Sequence, residues 1–120
     1  DRVAPVCSDL FGAIEAGAQF DVVLSNPPFF AGEPRDVADR AWHAGPDYRG
    51  IRPLFDQIRE RLSATGRAYV ILSTDADLAR LAALMTSAGL AHRIVRERRL
   101  LFEALVIYEL TPSDERLTRA

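Results

Sequence analysis

The sequence contains one cysteine, no lysine and no long apolar run. A single cysteine, Cys7, excludes an intramolecular disulfide and is typical of a protein from the reducing cytoplasm. Because Cys7 lies in an apolar stretch, we expect a buried thiol rather than a nucleophile. No stretch of 18 apolar residues occurs, so we expect no membrane span and no membrane partner.

An excess of basic charge is also lacking. The fifteen arginines are outweighed by acidic residues, and the formal net charge is −2. Such a balance does not predict a large nucleic-acid-binding surface. The chain has one cluster of arginines: Arg93, Arg96, Arg98 and Arg99. We interpret this cluster as a solvent-exposed strand face and keep contact with RNA as the alternative. Two histidines and one cysteine without paired spacing predict no metal site.

Apolar residues make up 48% of the 120 residues, which is enough for one folded domain and excludes a disordered composition. Their spacing predicts strands at 3–7, 21–25, 67–73, 91–98 and 105–110, and helices at 13–18, 53–62 and about 75–88. We expect Gly66 to end the second helix at a positive φ. Thr74 or Asp75 should cap the third helix, and Gly89 should end it. Residues 31–50 read as a long loop with a short helix at 37–42.

This order of elements predicts an α/β fold. Strands joined through a helix should run parallel, with right-handed crossovers. The last two strands are joined too closely for a crossover, so they should form an antiparallel pair at the end of the sheet. The uninterrupted apolar runs predict strands that are covered on both faces.

One turn carries the chemistry, Asn26-Pro27-Pro28-Phe29, directly after the strand 21–25. Ligands of open α/β sheets bind at this carboxyl edge. Two prolines fix the chain and remove two donors, which leaves the Asn26 side-chain oxygen and the Pro27 carbonyl as acceptors. They could hold both hydrogens of a planar amino group, with Phe29 against its flat face. The alternative is a plain strand-terminating turn.

With Asp9-Leu10-Phe11 and the run from Phe20 to Phe29, the chain resembles the Rossmann-like amino-methyltransferases that use S-adenosylmethionine. It is most similar to the glutamine N5-methyltransferases of release factors and to the wider "methyltransferase small" domain. The resemblance covers about 3–110 and implies the carboxy-terminal part of such a sheet.

The resemblance also implies site residues. Asp9 and Leu10, together with Asn26, would bind the methyl donor, although Asp9 alternatively caps the segment after it. Asn26 and Pro27 would hold the target nitrogen, and the acceptor would lie against a lining of Pro28, Phe29 and Trp42. Trp42 alternatively anchors its loop by burial.

The departures from the family are large. The glycine-rich donor loop and the ribose-binding acidic residue belong to strand–helix units that are absent, and no Gly-x-Gly occurs. We therefore expect residues 1–110 to be a partial catalytic domain that binds the donor weakly, followed by a flexible tail at 111–120. The bare edge of the strand 21–25 predicts a homodimer.

The sequence thus predicts a cytoplasmic N-methyltransferase that acts on a planar amino or amide nitrogen, preferably a glutamine in a protein such as a release factor. One alternative acceptor is an adenine or guanine amino group in RNA or DNA. Another alternative is a non-catalytic module that mediates assembly.

Overall fold

The computed structural model of the chain describes residues 2–29, 32, 35–38 and 42–113. Its elements follow in this order: β1 (Phe20–Ser25), a single 3-10 turn (Pro46–Tyr48), α1 (Arg52–Arg61), β2 (Leu62–Ser73), α2 (Leu78–Ser87), β3 (Leu90–Arg99) and β4 (Ala104–Pro112). The predicted α/β class is therefore confirmed, and the predicted strand 21–25 and both long helices are found within three residues of their expected bounds.

The four strands form one sheet in the order β1-β2-β4-β3. β1 and β2 are parallel, and β4 is antiparallel to both of its neighbours. The predicted antiparallel pair at the end of the chain is thus confirmed. Its reversed strand lies between β2 and β3 rather than outside them. The crossover through α2 skips one strand position, and the hairpin brings β4 back to fill it.

Both helices lie on the same face of the sheet and form the core with it. Helix α1 contributes the apolar stripe that the sequence predicts, and Leu54, Phe55 and Ile58 are all buried. Alternate residues of the central strands meet these helices: Ala68, Val70, Leu72, Val106, Tyr108 and Leu110. Burial raises the pKa of the Tyr108 hydroxyl. Removal of this apolar surface from water is the main stabilising contribution to the fold.

The opposite face of the sheet carries no described helix, and we call it the open face. On β1, Val22 is 59% and Leu24 is 75% exposed, whereas Val23 between them points to the helical side and is more buried. The expectation that this strand is covered on both faces is wrong for the described residues. A run without alternation cannot reveal which face lacks a cover, because both faces carry apolar side chains.

Two short predicted elements are not formed. Residues 3–7 are not a strand, since a strand requires a neighbour for its backbone groups and the described sheet offers none there. Cys7 in this segment is exposed, which corrects the expectation of a buried thiol. Residues 13–18 form turns closed by Ile14 N–Phe11 O and Ala18 N–Glu15 O bonds instead of a helix. Such a short piece does not offset the cost of helix nucleation.

The boundaries around β2 also differ from expectation. β2 starts at Leu62, so Gly66 is a strand residue and does not adopt a positive φ. A Cβ at Gly66 would lie 2.7 Å from the Phe20 carbonyl oxygen, which explains the glycine by close strand approach. The cap of α2 is Asp77, whose carboxylate accepts from the Arg80 amide at 3.0 Å, and not Thr74 or Asp75. Gly89 ends α2 at φ 86°, as predicted.

Two expectations fall partly outside the described residues. Of the predicted helix at 37–42, residues 39–41 are not described. Of the predicted tail, residues 111 and 112 belong to β4, and 114–120 are not described. The Ser113 amide still donates to the Gly89 carbonyl at 2.9 Å, which ties the end of β4 to the end of α2.

Candidate active site

The turn after β1 lies at the carboxyl edge of the sheet, where the sequence predicts it. Ser25, the last residue of β1, is level with Val70 of β2. Asn26 is exposed, the following Pro27 is buried, and Pro28 is half-buried. Because the buried proline anchors the chain directly behind it, the Asn26 side chain is presented to solvent from a fixed point of backbone.

Asn26 borders a groove of about 310 Å³ on the open face. The groove is lined by Leu24, Ser25, Asn26, Tyr69, Ile71 and Ile107. No hydrogen bond to another described residue occupies the Asn26 amide, so its oxygen and nitrogen are available at the rim of an apolar surface. A flat group could lie on the aliphatic side chains while the amide holds its polar edge.

A buried carboxylate closes the other end of this surface. Glu109 on β4 accepts hydrogen bonds from Arg93 Nε at 2.9 Å, from the Tyr69 hydroxyl at 3.0 Å and from Arg67 Nη1 at 3.2 Å. The bond from Arg93, and then that from Tyr69, lowers the pKa of Glu109. The network fixes the Tyr69 ring, which is one wall of the groove.

Phe29 does not line the groove. Its side chain is half-buried and packs against the core cluster, and it is not among the six residues that line the groove. The structure therefore gives Phe29 a packing role beneath the turn. Its contact with an acceptor stays a prediction.

The Asp9-Leu10 turn, predicted to bind the donor, directly precedes a residue that contacts the first residue of β1. Gly12 N donates to the Asp9 carbonyl at 2.9 Å, and Leu10 adopts φ 52°, a left-handed conformation that is uncommon for leucine. The next residue, Phe11, contacts the ring of Phe20 at a centroid distance of 5.9 Å. Asp9 and Leu10 are both exposed, and neither is hydrogen-bonded to Asn26 in the described part of the chain.

Arginine and glutamine side chains of α1 hold this turn. Gln57 Oε1 accepts from the Phe11 amide at 3.0 Å, and Arg61 donates to the Glu15 carbonyl at 2.6 Å. The Arg61 guanidinium also lies 5.9 Å from the Phe11 ring centroid. The segment from Phe11 to Glu15, which follows the Asp9-Leu10 turn, is thus held to the first residue of β1 and to the second half of α1.

Trp42 is 59% exposed, so the alternative of a buried loop anchor is wrong. The loop is anchored instead by Tyr48, which is buried and whose hydroxyl accepts from the Asp77 amide at 2.9 Å. A role of Trp42 in acceptor binding stays a prediction, since its ring lines none of the groove beside Asn26.

Sequence reasoning missed the groove walls and the loop anchor. Tyr69, Ile71 and Ile107 sit in uninterrupted apolar runs, which give no signal for an open face. Tyr48 is a lone aromatic residue in a polar loop and gives no signal either. A further apolar run, Leu100-Leu101-Phe102, stands between two strands where polar turn residues are usual, and this is a signal that the sequence does carry.

Two other kinds of site are absent from the described residues. No group of three or more His, Cys, Asp or Glu side chains in the described ranges could hold a metal ion. None of the helices seen between residues 2 and 113 has the length and apolar character needed to cross a membrane.

No protein-family model matches the chain. Among solved structures, the chain is similar to the E. cuniculi Mtq2–Trm112 complex, which is responsible for methylation of the translation termination factor eRF1. The match has a TM-score of 0.63 and 24% sequence identity, and it covers 90% of this chain and 60% of that chain. At this identity the likeness establishes the fold alone. The chain thus shares the fold of part of a protein from a methylating complex, and it spans about three fifths of that protein's length.

Proposed function

We propose that this chain is the acceptor-holding part of an S-adenosylmethionine-dependent N-methyltransferase whose substrate is a glutamine side chain of a protein. One observation carries the proposal: an exposed Asn26 amide, fixed by a buried proline, at the rim of an apolar groove on the carboxyl edge of the sheet.

The chemistry that these residues perform is positioning. The Asn26 side-chain oxygen and the Pro27 carbonyl accept the two N–H donors of a planar amide. With both hydrogens held, the nitrogen lone pair is directed away from the protein acceptors, towards an electrophile. Orientation of this kind lowers the barrier by removing rotational freedom before reaction, and no general base of the protein is required.

S-adenosylmethionine, when bound, would supply the electrophilic methyl group and leave as S-adenosylhomocysteine after its methyl–sulfur bond breaks. The methylated nitrogen would release one of its two N–H protons to water. The residues present fit this donor only in part. Asp9 and Leu10 are exposed and could contact its adenine end, but neither lines the groove beside Asn26. No Gly-x-Gly occurs in the chain for the methionine end. We therefore assign the acceptor side of the reaction to this chain.

The choice of a protein acceptor is supported by the fold shared with a complex that methylates eRF1. The apolar lining of the groove agrees with it, because the aliphatic part of a glutamine can lie on Leu24, Ile71 and Ile107. A nucleobase amino group is the competing acceptor, since it presents the same pair of donors.

Methyl transfer by the full-length gene product tests the proposal. A translation termination factor and total tRNA plus rRNA would be offered separately, with S-adenosylmethionine labelled in the methyl group. We expect label on a glutamine of the factor. Asn26→Ala should lower kcat/KM by about a hundredfold or more, since one oriented acceptor in a reaction site is worth roughly 2.7–4 kcal/mol. Thr65→Ala, an exposed β2 residue, is the matched control and should leave the rate unchanged.

Two results would contradict the proposal. Label on RNA alone would replace the protein acceptor by a nucleobase. No label on either substrate, together with no calorimetric binding of S-adenosylhomocysteine by the full-length product, would favour a non-catalytic assembly module.

A further inference from the structure

The hairpin between β3 and β4 ends in two fully exposed apolar side chains. Leu101 is 88% and Phe102 is 91% exposed, and the neighbouring Leu100 is 44% exposed. The Leu100 amide donates to the Glu103 carbonyl at 2.7 Å, so Leu101 and Phe102 form the tip. Tips of two residues favour Asn, Asp and Gly for backbone reasons. Leucine and phenylalanine contradict that preference, which indicates a requirement other than folding.

The base of this hairpin is held firmly. The Thr74 amide donates to the Ala104 carbonyl at 2.9 Å, and the Ala104 amide donates back to Thr74 Oγ1 at 2.8 Å. The Ser73 hydroxyl contacts the Glu103 carboxylate beside them. The apolar tip is therefore a fixed projection, and a partner that binds it orders few additional groups.

The tip lies at the same sheet edge as Asn26. β1 and β4 are separated by one strand. Ser25, next to Asn26, is level with Val70 of β2, and Leu105, near the start of β4, is level with Ser73 of β2. From strand spacing and rise, the tip is roughly 20 Å from Asn26. An extended peptide spans that distance with about six residues.

The positive charges beside the tip favour an acidic partner. The last four residues of β3 contain Arg96, Arg98 and Arg99 against the single acid Glu97. All three arginines are exposed, and they make no ion pair among the residues that the structure describes. A segment that binds the tip and runs along this strand end is stabilised if it is acidic.

We infer that Leu101 and Phe102 are the docking point of the protein acceptor, and that they bind an apolar side chain in an acidic segment about six residues from the methylated glutamine. This inference rests on the proposed function and adds to it the recognition of protein rather than nucleic acid. The two tip side chains offer apolar contact area to a protein, and the arginines beside them complement its acidic residues. A nucleic acid, which would stack on Phe102 and contact the same arginines, is the competing outcome that the test below distinguishes.

The double variant Leu101→Ser/Phe102→Ser of the full-length gene product tests this. Two readouts are needed: KM and kcat for methylation of a translation termination factor, and Kd for the same factor by biolayer interferometry without methyl donor. Ile94→Ser is the matched control, because Ile94 is a half-exposed apolar residue in the middle of β3, away from the tip. Thermal unfolding of all variants should agree with that of the wild type, since the tip is not in the core.

For the double variant we expect KM and Kd to rise together by roughly tenfold to a hundredfold, with kcat at saturation unchanged. Ile94→Ser should change neither. If the wild type methylates the factor and the double variant has the same KM and Kd as the wild type, the inference is overturned while the proposed function stays intact. Methylation of RNA, with the same KM in wild type and double variant, would overturn it too. A wild type that binds the factor through the tip but transfers no methyl group would contradict the proposed function alone.

Discussion

Arg80 on α2 holds Asp47, in the loop before α1, by two hydrogen bonds of 2.9 Å, one from Nε to Oδ1 and one from Nη2 to Oδ2. Arg52 adds a bond of 2.6 Å to the same carboxylate. Asp47 and the next residue, Tyr48, adopt φ values of 52° and 58°, which non-glycine residues rarely do. The two arginines and the Tyr48 hydroxyl thus hold the strained backbone of Asp47 and Tyr48, just before α1.

Acid should weaken the hold of the arginines on Asp47 and so destabilise the fold. The hydrogen bond from Arg80 lowers the pKa of Asp47. A carboxyl group whose folded pKa is depressed stabilises the fold above its unfolded pKa of about 3.9, and this contribution is lost as pH falls through the folded pKa. We expect the thermal midpoint to fall less steeply below about pH 4 in Asp47→Asn than in the wild type. Calorimetry at stepped pH measures this.

The matched control for that series is Asp56→Asn, because Asp56 is exposed on α1 and forms no ion pair with Arg52 or Arg80 among the described residues. Its acid-induced loss of stability should follow the wild type. Equal slopes for the wild type and Asp47→Asn would show that the ion pairs of Asp47 are screened and do not hold the loop.

Gly66→Ala should destabilise the sheet. A Cβ at this position would be 2.7 Å from the Phe20 carbonyl oxygen and 3.0 Å from the Ser63 amide nitrogen, both of them backbone atoms that cannot rotate away. We expect a loss of about 2–3 kcal/mol in the free energy of unfolding, as for overpacked sites. Urea denaturation followed by circular dichroism is the measurement.

Gly17→Ala separates packing from backbone strain in that experiment. Gly17 has φ 90°, but no atom lies within 4 Å of the position that a Cβ would take there. Only the strained conformation therefore contributes, at about 1 kcal/mol. A smaller loss for Gly66→Ala than for Gly17→Ala would contradict the close approach of β1 and β2.

Phe29 offers a test of packing against acceptor contact. Because its ring packs on the core, Phe29→Ala should cost about 1–3 kcal/mol of stability, less than for a fully buried ring. Phe29→Tyr keeps the ring and should leave both stability and methyl transfer near wild type. If Phe29→Ala were as stable as the wild type but inactive, the ring would act on the acceptor rather than in the core.

The edge of β1 predicts self-association of the 120-residue chain. β1 has β2 on one side, and no described strand pairs with its other side. Sedimentation equilibrium should show a concentration-dependent dimer. Val22→Lys/Leu24→Lys places two charges on the exposed side of this strand and should give a monomer with an unchanged circular dichroism spectrum. A monomer at every wild-type concentration would contradict the homodimer prediction.

The spacing of apolar residues and the lengths of the apolar segments were sufficient to predict the helices and the strands of the core. The stripe of Leu54, Phe55 and Ile58 is buried as its spacing requires, and the short link between the last two strands forces them to be antiparallel. The insertion of β4 between β2 and β3 could not be predicted in the same way, because pairing order depends on contacts that are distant in sequence.

The site was predictable where chemistry depends on local sequence. Asn26 and Pro27 lie at the strand end because prolines terminate a ladder regardless of the rest of the chain. The groove walls depend on which face of the sheet is covered, which Tyr69 and Ile71 do not reveal locally. The prediction of a strand at 3–7 was wrong for a related reason, since strand propensity without a neighbouring strand does not produce a strand.

The central position of β4 determines when this sheet can form during synthesis. β2 and β3 run in the same direction and are joined only through β4, which contains the last residues of the sheet. While a ribosome is still translating residues before Ala104, the nascent chain has two strand edges that cannot yet be bridged, one on the apolar β2 and one on the more highly charged β3. The sheet closes only once the final strand has left the exit tunnel, and until then both edges are open to pairing with other chains.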